Sequence, residues 1–208
     1  MAVIVGFVSQ KGGVGKSTLA RALAREGASG GLKVKVADLD TQQGTLVNWQ
    51  RRRLAAGLEP TVSVESFRTA AEPLTRANSY DLVIVDGPAR ASAATLSIAR
   101  AADIIVQPTG ASLDDLEPAV LTFHELVREG IPKEKLVFAL CRVGTEAEER
   151  DCRAFLSEAG YGCLEGSLPE RPGYRSAQNM GFAVTETKYH SLQKRAEQLI
   201  QALIDRIG

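Results

Sequence analysis

Long hydrophobic runs, disulfide patterns and a dominant charge are all missing from this 208-residue sequence. No apolar run approaches the roughly 18 residues of a transmembrane helix, and no charged segment followed by an apolar stretch opens the chain as a signal peptide would. The three cysteines, Cys141, Cys152 and Cys163, are too few and too widely spaced for a disulfide framework or a Cys-x-x-Cys metal site. We therefore expect reduced thiols and a soluble, cytoplasmic protein.

A net charge is also missing, because 25 basic residues balance 25 acidic ones. Binding to nucleic acid or to a membrane, if it occurs, must then come from a local patch. With 44% apolar residues the chain can bury one sizeable core but is short for two. We predict a single domain over residues 1–208.

The sequence does contain a glycine-rich loop, residues 9–18, between an apolar run at 3–8 and a helical pattern at 19–24. Glycines lack Cβ, so successive backbone N–H groups can turn towards an anion, and the helix that follows adds its own free N–H groups. Lys16 can then reach the β- and γ-phosphates of a nucleotide, and the Ser17 hydroxyl can bind Mg²⁺. The predicted nucleotide contacts are Gly12, Gly13, Val14, Gly15, Lys16, Ser17 and Thr18.

This loop departs from the general phosphate-loop pattern at its start. Gln10 stands where the first glycine is expected, and Lys11 follows it. A dinucleotide-binding loop does not fit either, because Gly-x-Gly-x-x-Gly read from Gly13 and Gly15 ends on Thr18.

Aspartates follow two further predicted strands. The strand at 33–37 delivers Asp38 and Asp40, and a continuous apolar run at 80–86 ends in Asp86, as in a strand buried on both faces. Ligands of open parallel sheets bind at the carboxyl ends of the strands, so these carboxylates are predicted to lie near the phosphates. Asp86 would hold Mg²⁺ through water, with Asp38 as a further candidate, and residues 87–89 would sense the γ-phosphate. Asp38 and Asp40 have an alternative as helix caps or turn formers.

Strand and helix signals alternate along the rest of the chain. Further strands are predicted at 61–64, 103–108 and 135–141, and helices at 46–56, 66–77, 91–101, 113–129, 145–159 and 189–207. This rhythm predicts an α/β fold, a doubly wound and mostly parallel sheet with helices on both faces. Near the end of the helix at 46–56 lie Arg51, Arg52 and Arg53, which are either solvated or a phosphate-contacting patch.

Residues 11–17 resemble the deviant Walker A loop of the ParA/MinD superfamily of P-loop ATPases, whose mark is a second lysine at the start of the loop. Segment 38–44 is similar to the second motif of that family, with Thr41 in place of the usual proline, and the strand ending at Asp86 resembles a Walker B strand. The chain is most similar to short ParA-type partition ATPases that lack an N-terminal DNA-binding extension.

The resemblance implies ATP and Mg²⁺ as cofactors and assigns roles to particular residues. Asp40 would position the attacking water, and Lys11 would reach the nucleotide of the second subunit in an ATP-dependent homodimer. Segments after the late strands cradle adenine in the family, which suggests Arg142 and Pro169 here.

The resemblance also implies partners. The ATP dimer would bind nucleoid DNA without sequence preference, through Arg51–Arg53 or, as second choice, Lys194, Arg195 and Arg206. A ParB-like protein would stimulate hydrolysis and release, so that a plasmid, a chromosome or another cargo is moved or spaced.

Three rival functions come from the same fold. A MinD-like membrane ATPase needs a basic amphipathic tail, whereas the predicted C-terminal helix mixes Lys194 and Arg195 with Glu197 and Asp205. A metal-cluster carrier needs paired cysteines at the dimer interface. A P-loop ligase or kinase acting on a small acid stays open as the alternative enzyme.

Overall fold

Seven strands form one sheet in the computed structural model, which describes residues 2–89 and 92–208. Their bounds are β1 Val3–Phe7, β2 Val34–Asp38, β3 Ser63–Ser66, β4 Leu82–Asp86, β5 Ile104–Thr109, β6 Leu136–Val143 and β7 Gly162–Pro169. Every pairing is parallel, in the order β3-β2-β4-β1-β5-β6-β7. All residues of β2, β4 and β5 are buried, as apolar strands covered on both faces require.

Eight α-helices flank the sheet in the same part of the chain. They are α1 Lys16–Ser29, α2 Thr45–Ala55, α3 Ala71–Leu74, α4 Ser92–Ala101, α5 Leu113–Arg128, α6 Glu146–Glu158, α7 Pro172–Asn179 and α8 His190–Ile207. One core joins the sheet to α1 and α8 through residues such as Leu23 and Leu199. A second core joins it to α4, α5 and α6 through Ile98, Phe123 and Leu156. Helices on both faces of a parallel sheet confirm the predicted doubly wound fold. None of the described helices is both long and apolar enough to cross a membrane.

The sheet topology brings the predicted site residues to one edge. β1 lies at the centre, between β4 and β5, so the chain winds to one side of it first and to the other side later. Asp86 pairs in register with Phe7 of β1 and with Asp38 of β2. The carboxyl ends of these three strands therefore meet where a ligand crevice is expected.

Two elements of the structure differ from the prediction. The helix predicted at 66–77 is wrong: Ser66 pairs with Asp38 as the end of β3, and α3 has only four residues. Pro73 explains this, because it has no N–H to bond residue 69 and is tolerated only in the first turn of a helix. β7 was not predicted, because Gly162 and Gly166 interrupt its apolar pattern. In the helix predicted at 91–101, residue 91 lies outside the described residues.

Candidate nucleotide-binding site

The glycine loop between β1 and α1 forms an open cradle. Gly13 and Gly15 have φ values of +75° and +119°, which L side chains rarely adopt, and α1 begins directly after Gly15. A Cβ on Gly15 would lie 3.0 Å from the Sγ of Cys141, whereas one on Gly12 or Gly13 would meet nothing within 4 Å. No described protein atom therefore occupies the space beside Gly12 and Gly13 where a Cβ would lie, and an anion could approach the backbone there.

Ser17 and Asp86 form a pair of hard oxygen groups beside the loop. The Ser17 hydroxyl donates to Oδ2 of Asp86 at 2.5 Å, and Oδ1 of Asp86 is buried without a hydrogen-bond partner among the described residues. Burial raises the pKa of Asp86 from 3.8 to about 7, against the lowering effects of the Ser17 hydrogen bond and the Lys16 charge. A carboxylate oxygen without a partner next to a hydroxyl is the ligand chemistry that Mg²⁺ prefers, so these residues fit the ion.

Lys16 supplies the positive charge of the site. Its side chain is buried at the N-terminus of α1, and burial lowers its pKa while the carboxylates of Asp86 and Asp40 raise it. An ammonium held in this way is short of water and gains from a phosphate arriving at the loop.

Asp38 and Asp40 have different surroundings. Oδ1 of Asp38 accepts from the backbone N–H of Asp40 at 3.1 Å and Oδ2 accepts from that of Leu46 at 3.0 Å. The Asp38 carboxylate is fully buried, does not line the cavity beside the glycine loop, and holds the segment that leads into α2. These contacts match its alternative as a turn former and helix cap, and its magnesium role stays a prediction. Asp40 does line that cavity, where its Oδ1 accepts from the N–H of Gln43 at 3.2 Å.

Two cavities join into one cleft along the carboxyl edge of the sheet. The phosphate lobe, of 410 Å³, is lined by the glycine loop together with Lys16, Ser17, Asp40 and Asp86. Gly87 and Ala89 of the predicted γ-phosphate-sensing segment also line it. The outer lobe, of 220 Å³, is lined by Cys141, Arg142, Leu168, Pro169 and Tyr174, among others. Both lobes share Gly13, Gly15, Thr18 and Gln178.

The outer lobe brings together the two residues predicted to contact adenine. Pro169 ends β7 and contributes apolar surface. Arg142, near the end of β6, has a φ of +61°. At the rim, Arg142 Nε lies 3.3 Å from the Glu170 carboxylate, which also accepts from Arg175 at 3.1 Å. The lobe combines the apolar side chains of Leu168 and Pro169 with charged groups at its rim, which suits a heterocyclic base.

Lys11 does not line the phosphate lobe of its own chain. Its half-exposed side chain pairs with the carboxylate of Asp115 at the start of α5 and donates to the carbonyl of Asp114 at 3.4 Å. The second lysine of the loop is thus turned away from the site that Lys16 occupies.

The three arginines of α2 do not form one patch. Arg51 and Arg52 are exposed, but Arg53 is fully buried, with a bidentate pair to Glu186 at 2.6 and 3.0 Å and a bond from Nε to the carbonyl of Pro60. The DNA role predicted for Arg53 is therefore wrong, because its guanidinium is already held inside the protein. The buried spacing Leu46, Trp49, Gln50 and Arg53 is a helical stripe that the sequence does show.

Two polar residues of the cleft were missed by sequence analysis. Arg21 lies one helical turn after Ser17 on α1 and lines the phosphate lobe, and Gln178 of α7 lines both lobes. The i, i+4 spacing from Ser17 could have indicated Arg21. For Gln178 the sequence around α7 gave no comparable signal.

Comparisons with known proteins agree with this geometry. The family model described as "CobQ/CobB/MinD/ParA nucleotide binding domain" matches residues 5–188. The maintenance of carboxysome distribution protein A of Gloeobacter kilaueensis is 27% identical over 184 residues, covering 88% of this chain and 84% of the relative. The chromosome-partitioning ATPase Soj of Thermus thermophilus is 30% identical over 164 residues, covering 64% and 66%.

Solved structures share the fold at lower identity. A plasmid partition protein from Borrelia burgdorferi, bound to AMPPNP, superposes over the whole of both chains with a TM-score of 0.75 and 19% identity. MinD from Pyrococcus horikoshii in complex with Mg-ADP covers 99% of this chain and 96% of its own, with a TM-score of 0.74 and 20% identity. With a family model that matches most of its length, the chain belongs to the ParA/MinD/CbiA superfamily of deviant Walker A ATPases.

Proposed function

We propose that this protein is a ParA-type positioning ATPase, one ATPase domain that binds ATP and Mg²⁺, dimerises in the ATP state and hydrolyses ATP slowly until a partner protein completes the site. The observation that carries the proposal is the division of labour between two lysines of one loop. Lys16 is buried in the phosphate lobe, and Lys11 is exposed and outside it. Membership of this ATPase superfamily, and similarity to Soj and to the carboxysome distribution protein, support it.

The residues of the phosphate lobe would divide the chemistry of phosphoryl transfer to water. Lys16 and the loop N–H groups hold the β- and γ-phosphates, while Ser17 and Asp86 hold the metal ion. Mg²⁺, when bound, neutralises charge on the phosphate oxygens. Asp40 orients a water and can accept hydrogen bonds from it, so the protein contributes positioning and electrostatics.

Dimerisation would complete the site with a second cation. Lys11 is half-exposed and paired with Asp115. We infer that in the ATP state it leaves this carboxylate for the nucleotide bound by the other subunit, where it takes the role that arginine fingers play elsewhere. A single chain lacks that charge in its own lobe, so we expect slow turnover by the monomer.

The proposed DNA contact is Arg51 and Arg52 on α2, which remain exposed, with Lys194, Arg195 and Arg206 as the second choice. Because the net charge is zero, one copy of such a patch binds duplex weakly. Two copies in a dimer make the contact bivalent and raise its affinity. Binding to phosphates would be independent of sequence, as a nucleoid-associated, cytoplasmic ATPase with a ParB-like partner requires.

The test uses the Asp40→Ala variant, which is expected to bind ATP and dimerise but hardly hydrolyse it. With ATP it should bind duplex DNA of random sequence. The logarithm of its affinity should fall linearly with the logarithm of the salt concentration, with a slope of about −0.9 per phosphate neutralised. Adding Arg51→Gln and Arg52→Gln should flatten that slope. The matched control removes Arg100 and Arg128, which lie on helices of the opposite face of the sheet.

Two results would contradict the proposal. An ATP-bound Asp40→Ala dimer that ignores duplex at low salt would exclude positioning over DNA, and turnover that depends on a small acid would favour the ligase or kinase alternative. Wild-type turnover by Asp40→Ala would show that segment 38–44 is only structural.

A further inference from the structure

Arg21 is a buried cation with two bonds to different helices. Arg21 is only 5% exposed. Its Nη1 donates to Oε1 of Gln178 on α7 at 2.7 Å, and its Nη2 donates to the carbonyl of Thr45 at the start of α2 at 2.9 Å. The guanidinium is planar and rigid, so a movement at one of these bonds tilts the other. α1, α2 and α7 are thereby linked through one side chain.

The third donor of this guanidinium points to a ligand. Nε of Arg21 is buried and has no hydrogen-bond partner among the described residues, although Arg21 lines the phosphate lobe. A buried N–H without an acceptor is unfavourable, so it gains when an acceptor enters the lobe. Among the groups that enter a nucleotide site, phosphate oxygens and their bound waters are such acceptors.

Gln178 extends the link to the outer lobe. It lines both lobes, and besides accepting from Arg21 it donates from Nε2 to the Thr18 hydroxyl at 3.4 Å. Both lobes are therefore lined by side chains that are hydrogen-bonded to Arg21, either directly or through one other residue. A base in the outer lobe and phosphates in the phosphate lobe would each contact such side chains.

On its other side Arg21 contacts the only tryptophan in the sequence. The guanidinium carbon of Arg21 lies 5.9 Å from the ring centroid of Trp49 on α2, and the Trp49 Nε1 donates to the carbonyl of Phe182 at 3.0 Å. Trp49 is fully buried and lines neither lobe, so a bound nucleotide cannot touch it. Any effect of nucleotide on this ring must pass through the residues between them.

We propose that Arg21 is a positioning residue that couples nucleotide in the two lobes to the first turn of α2, and with it to the Asp40 segment. This inference rests on the proposed function only in that the cleft must bind ATP. When nucleotide draws Arg21 or Gln178 towards the lobes, the bond to Thr45 shifts the first turn of α2.

The experiment follows Trp49 fluorescence during titration with Mg-ADP and with a non-hydrolysable Mg-ATP analogue, and calorimetry measures binding of the same ligands in parallel. Wild type is expected to show a saturable fluorescence change. Arg21→Gln and Arg21→Lys are expected to bind both ligands more weakly, and at ligand concentrations that calorimetry shows to be saturating they should lose most of that change. Lysine fails too, because it keeps the charge but not the rigid fork.

A matched control is available on the same helix. Arg25→Gln removes a cation one turn further along α1, which pairs with Glu26 and Glu186 and lines neither lobe. This variant should keep the fluorescence change. In turnover assays at saturating Mg-ATP, Arg21→Gln should lower kcat by about tenfold or more, a loss that weaker binding alone does not produce.

Gln178→Ala retains the Arg21 side chain but removes the acceptor of its Nη1, and this variant serves if the Arg21 variants fail to fold; it should also lose the change. The inference is overturned if wild type binds nucleotide with no change at Trp49, or if Arg21→Gln or Gln178→Ala binds it and keeps the full change. A wild-type protein that gives no binding heat with Mg-ATP would overturn the proposed function instead, which separates the two failures.

Discussion

At the scale of single residues, Asp86 concentrates the opposing demands of folding and function. The chain buries its carboxylate completely and leaves one of its oxygens without a partner among the described residues, which is unfavourable in the free protein. The same arrangement makes the group a good ligand for a cation. Stability given up at this position would be recovered on binding of the proposed metal and nucleotide.

This conflict predicts a pH effect in metal-free protein. Burial raises the pKa of Asp86 to about 7. Between pH 4 and 7 the folded state therefore keeps a proton that the unfolded state loses. As a result, the free energy of unfolding falls as pH rises through that range. Asp86→Asn should therefore stabilise the protein more at pH 8 than at pH 5. Urea unfolding in EDTA measures both values, and an equal difference at the two pH values would contradict the prediction.

Lys16 predicts a loss of binding. Lys16→Ala should weaken ATP affinity by about 10- to 100-fold, because a charge-assisted contact is worth ~1.5–3 kcal/mol and the backbone cradle cannot replace the charge. Calorimetry with Mg-ATP gives the comparison. Lys188→Ala, which removes an exposed lysine outside both lobes, is the control and should bind as wild type does.

At the scale of elements, α2 is held by a buried ion pair that its arginine-rich sequence hides. Glu186 pairs with Arg53 and also with Arg25 at 3.1 Å, so one carboxylate joins α1, α2 and the segment before α8. Gly181 packs on the backbone of α2 so closely that a Cβ there would lie 2.6 Å from the nitrogen of Arg53. The helix is therefore fixed at its C-terminal half, and movement is confined to its first turn.

Removing the Glu186 carboxylate should make the protein less stable to unfolding. Glu186→Gln leaves Arg53 as a buried charge without its partner and should lower the free energy of unfolding by ~3–5 kcal/mol. Chemical denaturation measures the change. Glu129→Gln breaks an exposed pair with Arg100, of 3.5 Å, and should cost less than ~1 kcal/mol. A loss as small for Glu186→Gln would mean that the buried pair does not anchor α2.

The elements that sequence analysis predicted were those with strong local signals. The glycine loop, β4 and α8 each follow from periodicity or from residues that only one backbone geometry suits. The helix predicted at 66–77 and the missed β7 depended on sheet pairing, which outweighs local propensity. The hydrogen bonds of Asp38 to the N–H groups of Asp40 and Leu46 are local and match its alternative as a turn former and helix cap. Arg53 was assigned to DNA because its residue type fits; its actual partner, Glu186, is far along the chain and could not be predicted without the fold.

At the scale of the whole molecule, the fold places every proposed contact of ATP on one edge and leaves Lys11 facing outwards. Under the proposed function, assembly is part of the site, since the second cation would come from another copy of the chain. The net charge of zero fits this arrangement, because charge acts through a few placed side chains and their duplication in a dimer.

The pair between Lys11 and Asp115 should oppose dimerisation. Asp115→Asn frees Lys11 and should lower the dimer dissociation constant in ATP by about 2- to 30-fold, because two exposed pairs of ~0.2–1 kcal/mol each no longer have to be broken. Analytical ultracentrifugation measures it. Asp114→Asn removes the neighbouring charge from the same helix turn but keeps the carbonyl that Lys11 contacts. Equal effects of the two variants would mean that the negative charge at the start of α5, and not the pair with Lys11, opposes dimerisation.

The exposure of that pair has a consequence for ionic conditions. Salt screens a half-exposed ion pair and so makes Lys11 easier to release, which favours joining of two subunits. Salt also weakens contacts between arginines and DNA phosphates, which opposes loading. The two steps of the proposed cycle therefore respond to ionic strength with opposite signs, and a rise in salt would accumulate joined but unloaded protein.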